Sequence, residues 1–124
     1  MKTMRMLYVE DNPELREIFQ EMLEADQREV IACATAEEAL LLWSASAFDV
    51  LVSDISLPGM SGIDLARRIL ETQPPCWVVL CSGYEYGDTL SLLGPRVRAL
   101  AKPFELDDLE RLMDEIHTAL ESTT

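Results

Sequence analysis

Five residues stand where apolar runs of the chain give way to polar turns: Glu10, Asp11, Asp54, Ser82 and Lys102. Their types suit one kind of chemistry. Carboxylates crowded together repel and raise one another's pKa unless a cation joins them. A donor set made only of oxygen favours a hard ion, Mg2+ first. A lysine and a hydroxyl at the same edge complete a pocket for a tetrahedral anion. The hydroxyl hydrogen-bonds it and the ammonium neutralises it. Carboxylate, metal, lysine and hydroxyl together suit phosphoryl transfer to an aspartate.

That chemistry needs elements that bring the five residues together, and the chain alternates in the required way. "MRMLYVE" reads as a strand, roughly Arg5 to Glu10. Asn12 is a good N-cap for the helix that follows, with Pro13 at its first position and Glu14 in its first turn. Leu15, Ile18, Phe19, Met22 and Leu23 recur on one face of it. "REVIACA" is a second strand. Thr35 caps the next helix, and Glu38 completes a capping box. Ala39, Leu40 and Trp43 form its core stripe, which Leu41 and Leu42 broaden.

"VLVSD" is the third strand, and its near-continuous apolar character is that of a parallel strand covered on both faces. Ser61 caps a helix whose inner face is Leu65, Ala66, Ile69 and Leu70, and "QPP" stops it. "CWVVLCS" and "VRALAK" are the fourth and fifth strands. Between them, residues 85–94 form at best a weak short helix. Residues 105–122 form the last helix, striped by Leu106, Leu109, Met113, Ile116 and Leu120. Strands alternating with helices predict an α/β fold, a parallel sheet with helices on both faces. Ligands in such folds sit beyond the carboxyl ends of the strands. The five residues fall there. If the first and third strands are neighbours, their carboxylates gather within about two strand spacings.

The bulk numbers agree with a protein-facing module. At 124 residues the chain reads as one domain, residues 1–124, long enough for a real core. Its 10 basic and 23 acidic residues leave a net charge of −13, which argues against nucleic acid or anionic membrane as a partner. Cys33, Cys76 and Cys81 each sit in an apolar run and read as reduced core thiols. No run has the length of a signal peptide or membrane span, so a cytoplasmic location is the expectation. His117, the only histidine, lies among acidic residues and reads as a surface side chain.

"VEDN", "VSDISLPGMSG", "CSG" and "AKPF", in this order at successive strand ends, resemble the receiver domain of two-component response regulators. The resemblance covers essentially the whole chain. It implies a doubly wound five-stranded parallel sheet of flavodoxin-like order 2-1-3-4-5. It makes Asp54 the phosphoacceptor, attacking the phosphoryl group of a histidine kinase or phosphotransfer protein. It makes Asp11 a direct Mg2+ ligand and Glu10 a ligand through metal-bound water, with Asp54 and the backbone carbonyl of Ser56 completing the protein's share. Ser82 would hold the phosphoryl group and Lys102 would pair with it, aimed by a cis bond to Pro103. The domain would be no enzyme beyond weak self-phosphorylation and autodephosphorylation.

The pattern also departs from the family. Three residues before the lysine, where many receivers carry an aromatic that swings inward on activation, stands Ala99. Tyr84 and Tyr86 are nearby substitutes. The segment between Ser82 and Lys102 is short, and its "SGY" resembles receivers attached to hybrid kinases. The surface of the fourth helix, fifth strand and last helix is where many receivers dimerise or signal, so a homodimer is one expected state. The start at Met1 and the end after the last helix suggest a free-standing receiver working through a downstream protein. Three other classes compete. A phosphorylation-independent interaction module is favoured by Ala99 alone. A Mg2+-dependent phosphohydrolase would want a second carboxylate where Ser56 stands, and a nucleotide-binding domain a glycine-rich turn where "VEDNPEL" has none.

Overall fold

The computed structural model describes residues 3–72, 76–83, 90, 92–102 and 105–122. Its strands are β1 (Met4–Val9), β2 (Arg28–Cys33), β3 (Val50–Asp54), β4 (Trp77–Ser82) and β5 (Val97–Ala101). Among the described residues the helices are α1 (Pro13–Leu23), α2 (Ala36–Ala45), α3 (Gly62–Leu70) and α4 (Leu106–Ser122). All strand pairs are parallel, and the sheet order is β2-β1-β3-β4-β5, the order expected. Most of the expected helix over 85–94, with Tyr84 and Tyr86, lies outside the described residues. So do "QPP" and the bond from Lys102 to Pro103. None of the described helices is long and apolar enough to cross a membrane.

Period-two alternation decides which residues face which layer. Met4, Met6 and Tyr8 of β1, Val50 and Val52 of β3, Val79 and Cys81 of β4 and Leu100 of β5 are buried in one core with Leu109, Met113 and Ile116 of α4. Leu7, Val9, Leu51, Val78, Leu80 and Val97 are buried in the other, with Ala39 of α2 and Leu65, Ala66 and Ile69 of α3. The even-numbered rows on the α4 side continue, at the carboxyl ends, to Glu10, Asp54 and Lys102. A charge in each row therefore begins where the apolar layer stops.

The helix starts follow from their caps. Asn12 Oδ1 accepts from the amides of Glu14 at 3.0 Å and Leu15 at 3.1 Å. Ser61 Oγ accepts from Asp64 N at 3.2 Å, and Thr35 Oγ1 from Glu38 N at 3.1 Å. Each such cap stabilises its helix by about 1 kcal/mol. The box at Thr35 differs in one respect. Glu38 Oε1 reaches back to the amide of Ala34, one residue before the cap, at 3.2 Å.

Four expectations about burial need correction. Leu41, expected to broaden the core stripe of α2, is 72% exposed. On α1 only Leu23 is fully buried, and Ile18 is 53% exposed. That helix lies beside edge strand β2, so part of its stripe overhangs the sheet. Leu106 is exposed too, because the first turn of α4 precedes its packing against the sheet. His117 is not a free surface side chain. It is mostly buried, with Nε2 3.9 Å from Glu121 Oε1. Edge strand β2 is tied to α4 by a two-pronged pair, Arg28 Nη2 to Glu110 Oε1 at 2.8 Å and Nη1 to Oε2 at 3.2 Å.

All three cysteines are free and buried, as expected. Burial pushes the Cys76 thiol up to about 11 and the Cys33 thiol up to about 12. The fully enclosed Cys81 is raised as well, again chiefly by burial. A raised pKa means that the folded chain keeps a proton that the unfolded chain has released. The stability from these groups is complete below the ordinary thiol range and is lost as pH rises through the folded values. The unfolding free energy is therefore expected to hold to about pH 8 and to fall by about 2 kcal/mol per thiol by about pH 10.5. Urea titrations across that range check it, and a flat midpoint would contradict it.

Candidate functional site

Glu10, Asp11 and Asp54 come together at the carboxyl edge because β1 and β3 are neighbours, with Val9 facing Ser53 across the ladder. One carboxylate oxygen from each lies within 4.8 Å of the others. Glu10 sits one residue past the end of β1, 1% exposed, while Asp11 is exposed and Asp54 intermediate. Glu10 is held from every side. Its amide donates to Cys33 O at 3.1 Å, and its own carbonyl accepts from Arg16 Nη1 at 2.9 Å. Its Oε2 accepts from Asn12 N at 3.2 Å.

Lys102 spans the cluster. Its Nζ donates to Glu10 Oε1 at 2.6 Å and lies 3.1 Å from Asp54 Oδ2. Burial works against its charge, but the hydrogen bonds to Glu10 and Asp54 outweigh it and hold the ammonium above the ordinary lysine range. The Lys102 amide donates to Ser82 O at 2.9 Å, which fixes where the lysine leaves β5. Ser82 closes β4, buried, one residue beyond Cys81, the register partner of Asp54. Ser56 is exposed in the loop after Asp54. Ala99 is exposed on edge strand β5.

Some residues that shape the site gave little sign in the sequence. Arg16 is an ordinary-looking helix cation, yet it fastens the Glu10 carbonyl. Gly62 opens α3, where most residue types are tolerated; a glycine there hints at crowding. A Cβ on it would lie 2.1 Å from the Asp54 carbonyl oxygen. Tyr8, two residues before Glu10, is fully buried, and its hydroxyl has no hydrogen-bond partner among the described residues. Burial first, then the charges of Glu10, Cys81 and Asp54, raise its pKa, so the phenol stays neutral.

The donor set is compatible with Mg2+. Every candidate ligand atom is an oxygen and the carboxylates already converge, with the Lys102 ammonium offsetting part of their charge. A parallel sheet of this order with an acidic cluster at the ends of β1 and β3 defines a receiver-type signalling domain. The chain matches the family model of the response regulator receiver domain over residues 6–114, and it belongs to that family.

Its relatives include a sensor protein and a transcriptional regulatory protein. Virulence sensor protein BvgS of Bordetella pertussis is 40% identical over 67 residues, 54% of this chain and 5% of BvgS. The C4-dicarboxylate transport transcriptional regulatory protein DctD of Rhizobium meliloti is 34% identical over 105 residues, 82% of this chain and 22% of DctD. The chain thus spans only a small part of these proteins. Among solved structures, response regulator TrrA of Thermotoga maritima, in complex with Mg2+ and BeF, superposes with a TM-score of 0.81. It is 29% identical, with 94% of this chain and 99% of that one covered.

Proposed function

We propose that the chain acts as a single receiver unit that accepts a phosphoryl group on Asp54 and signals through protein contacts. The observation that carries this is the convergence of Glu10, Asp11 and Asp54 with Lys102 bridging two of them. The Mg2+–BeF complex of TrrA supports it by likeness. Glu10, Asp11, Asp54 and the Ser56 carbonyl would hold Mg2+, which when bound neutralises charge on the transferring group. A carboxylate oxygen of Asp54 attacks phosphorus. The bond from phosphorus to the donor's histidine nitrogen breaks, and that nitrogen keeps the electron pair. Lys102 then exchanges a carboxylate for a phosphoryl oxygen, and Ser82 would hydrogen-bond another. The exchange at Lys102 is the event that would shift the population of conformations around Ser82 and Lys102.

The donor would be a histidine kinase or phosphotransfer protein, and the output a downstream protein, with a homodimer as one candidate state and a cytoplasmic setting. Receiver domains are typically signalling modules and not enzymes, and the self-phosphorylation expected here is the weak activity of such modules. The test is intact mass after incubation with acetyl phosphate, with and without Mg2+. A Mg2+-dependent gain of one phosphoryl group, lost in mild base, is expected. No gain in a folded, Mg2+-binding protein would instead favour the phosphorylation-independent module.

Lys102→Ala separates the lysine from the metal ligands. It leaves Glu10 buried without its cation, which is expected to cost about 2 kcal/mol of stability in the absence of metal, below the range for fully enclosed pairs. Mg2+ binding is retained, because a competing positive charge has gone, and Mg2+ recovers much of the lost stability. Urea midpoints with and without Mg2+ read both effects. A variant that loses Mg2+ binding would contradict this division of roles.

A further inference from the structure

The loop between β3 and α3 carries Ser56, and both of its ends are pinned by backbone. Ile55 N donates to Cys81 O at 3.0 Å, and Gly62 N to Ile55 O at 2.9 Å. The middle of the loop is held differently. Met60 N donates to Glu37 Oε2 at 3.2 Å, across from the first turn of α2. Among the described residues this hydrogen bond ties the middle of the loop to α2. Gly59 makes the approach possible. Its φ is +74°, a left-handed conformation that favours glycine, and a Cβ there would lie 3.0 Å from Glu37 Oε2. The carboxylate therefore lies over the glycine and grips the next amide. A hydrogen bond to an ionised acceptor is stronger than one between neutral groups.

We propose that Glu37 is a positioning residue for the metal site, acting through the loop and touching neither the metal nor the phosphoryl group. By fixing Met60 and Gly59 it restricts where the Ser56 carbonyl can stand, so that the loop is ordered before a cation arrives. A loop ordered in advance spends less of the binding free energy on its own immobilisation. This rests on the assignment of the Ser56 carbonyl as a ligand under the proposed function. Glu37 and Glu38 both look like acidic residues favoured by the helix dipole. The structure separates them: Glu38 turns back to its own helix start, and Glu37 turns out to the loop.

The experiment is calorimetric titration of the whole chain with Mg2+ alone, at about 0.15 M salt to screen distant charge. Wild type is compared with Glu37→Ala and Glu37→Gln. Glutamine keeps an oxygen acceptor for Met60 N and loses the charge. Glu37→Ala is expected to weaken Mg2+ by about fivefold, less than for partners of buried ligands, and Glu37→Gln by no more than about twofold. Amide exchange at Met60 speeds up in Glu37→Ala and is largely preserved in Glu37→Gln. Equal affinity of Glu37→Ala and wild type overturns the proposal. So does equal weakening by both variants, which would make the effect one of charge. A wild-type chain that binds no Mg2+ sinks the proposed function as well, and is told apart by that control.

Discussion

Asp54→Asn, incubated with acetyl phosphate and Mg2+, is expected to keep its unmodified mass while wild type gains one phosphoryl group. The substitution changes one atom and almost no volume. An amide oxygen is far less nucleophilic than a carboxylate oxygen, and it brings no charge to a metal site. The surroundings should survive. Lys102 Nζ keeps its 2.6 Å bond to Glu10, and β3 keeps its ladder to β1 and β4. Loss of modification in a protein with wild-type unfolding would therefore speak to chemistry and not to folding. Continued labelling at the wild-type level would place the acceptor elsewhere, with exposed Asp11 the first to be tested.

Gly62→Ala is expected to be the most damaging small change in the site. The added Cβ would meet the Asp54 carbonyl oxygen at 2.1 Å, and the Asp54 carbonyl carbon and Ile55 Cα at 2.9 Å. These are backbone atoms at the end of a central strand, and they cannot turn aside as a flexible side chain would. Either α3 lifts away, opening the core around Leu65 and Ala66, or β3 shifts and takes Asp54 with it. Overpacking of this kind costs about 3 kcal/mol, the upper end of its usual range. Both relaxations also move Asp54 relative to Glu10, so Mg2+ affinity should fall with stability. Gly83→Ala is the control, since nothing lies within 4 Å of a Cβ there. A wild-type urea midpoint for Gly62→Ala would show that the helix start is more pliant than its packing implies.

Much of this architecture was legible residue by residue. Asn12 and Ser61 stand before amphipathic runs and Thr35 before a broadly apolar one, and each caps a helix because its side-chain oxygen meets an amide two or three residues on. The apolar runs alternate with helices at a spacing that only a parallel sheet accommodates. The five polar residues at strand ends were visible because they interrupt those runs. What could mislead was the depth of a stripe. Ile18 and Leu106 have the right helical phase but lie beyond the edge of what their helices cover.

The sequence by itself determined the elements, their caps and the residue types available at the carboxyl edge, because those depend on interactions a few residues long. It did not decide who meets whom. The crossover that sets β1 beside β3 brings Glu10 and Asp11 to Asp54 across more than 40 positions. The reach of Lys102 from beyond edge strand β5 to Glu10 depends on the order of all five strands. The closeness of Gly62 to Asp54, and of Glu37 to Met60, depends on how α3 and α2 sit against the sheet. Those are contacts between surfaces, fixed only when the whole layer packs. Local propensity carries no signal of them.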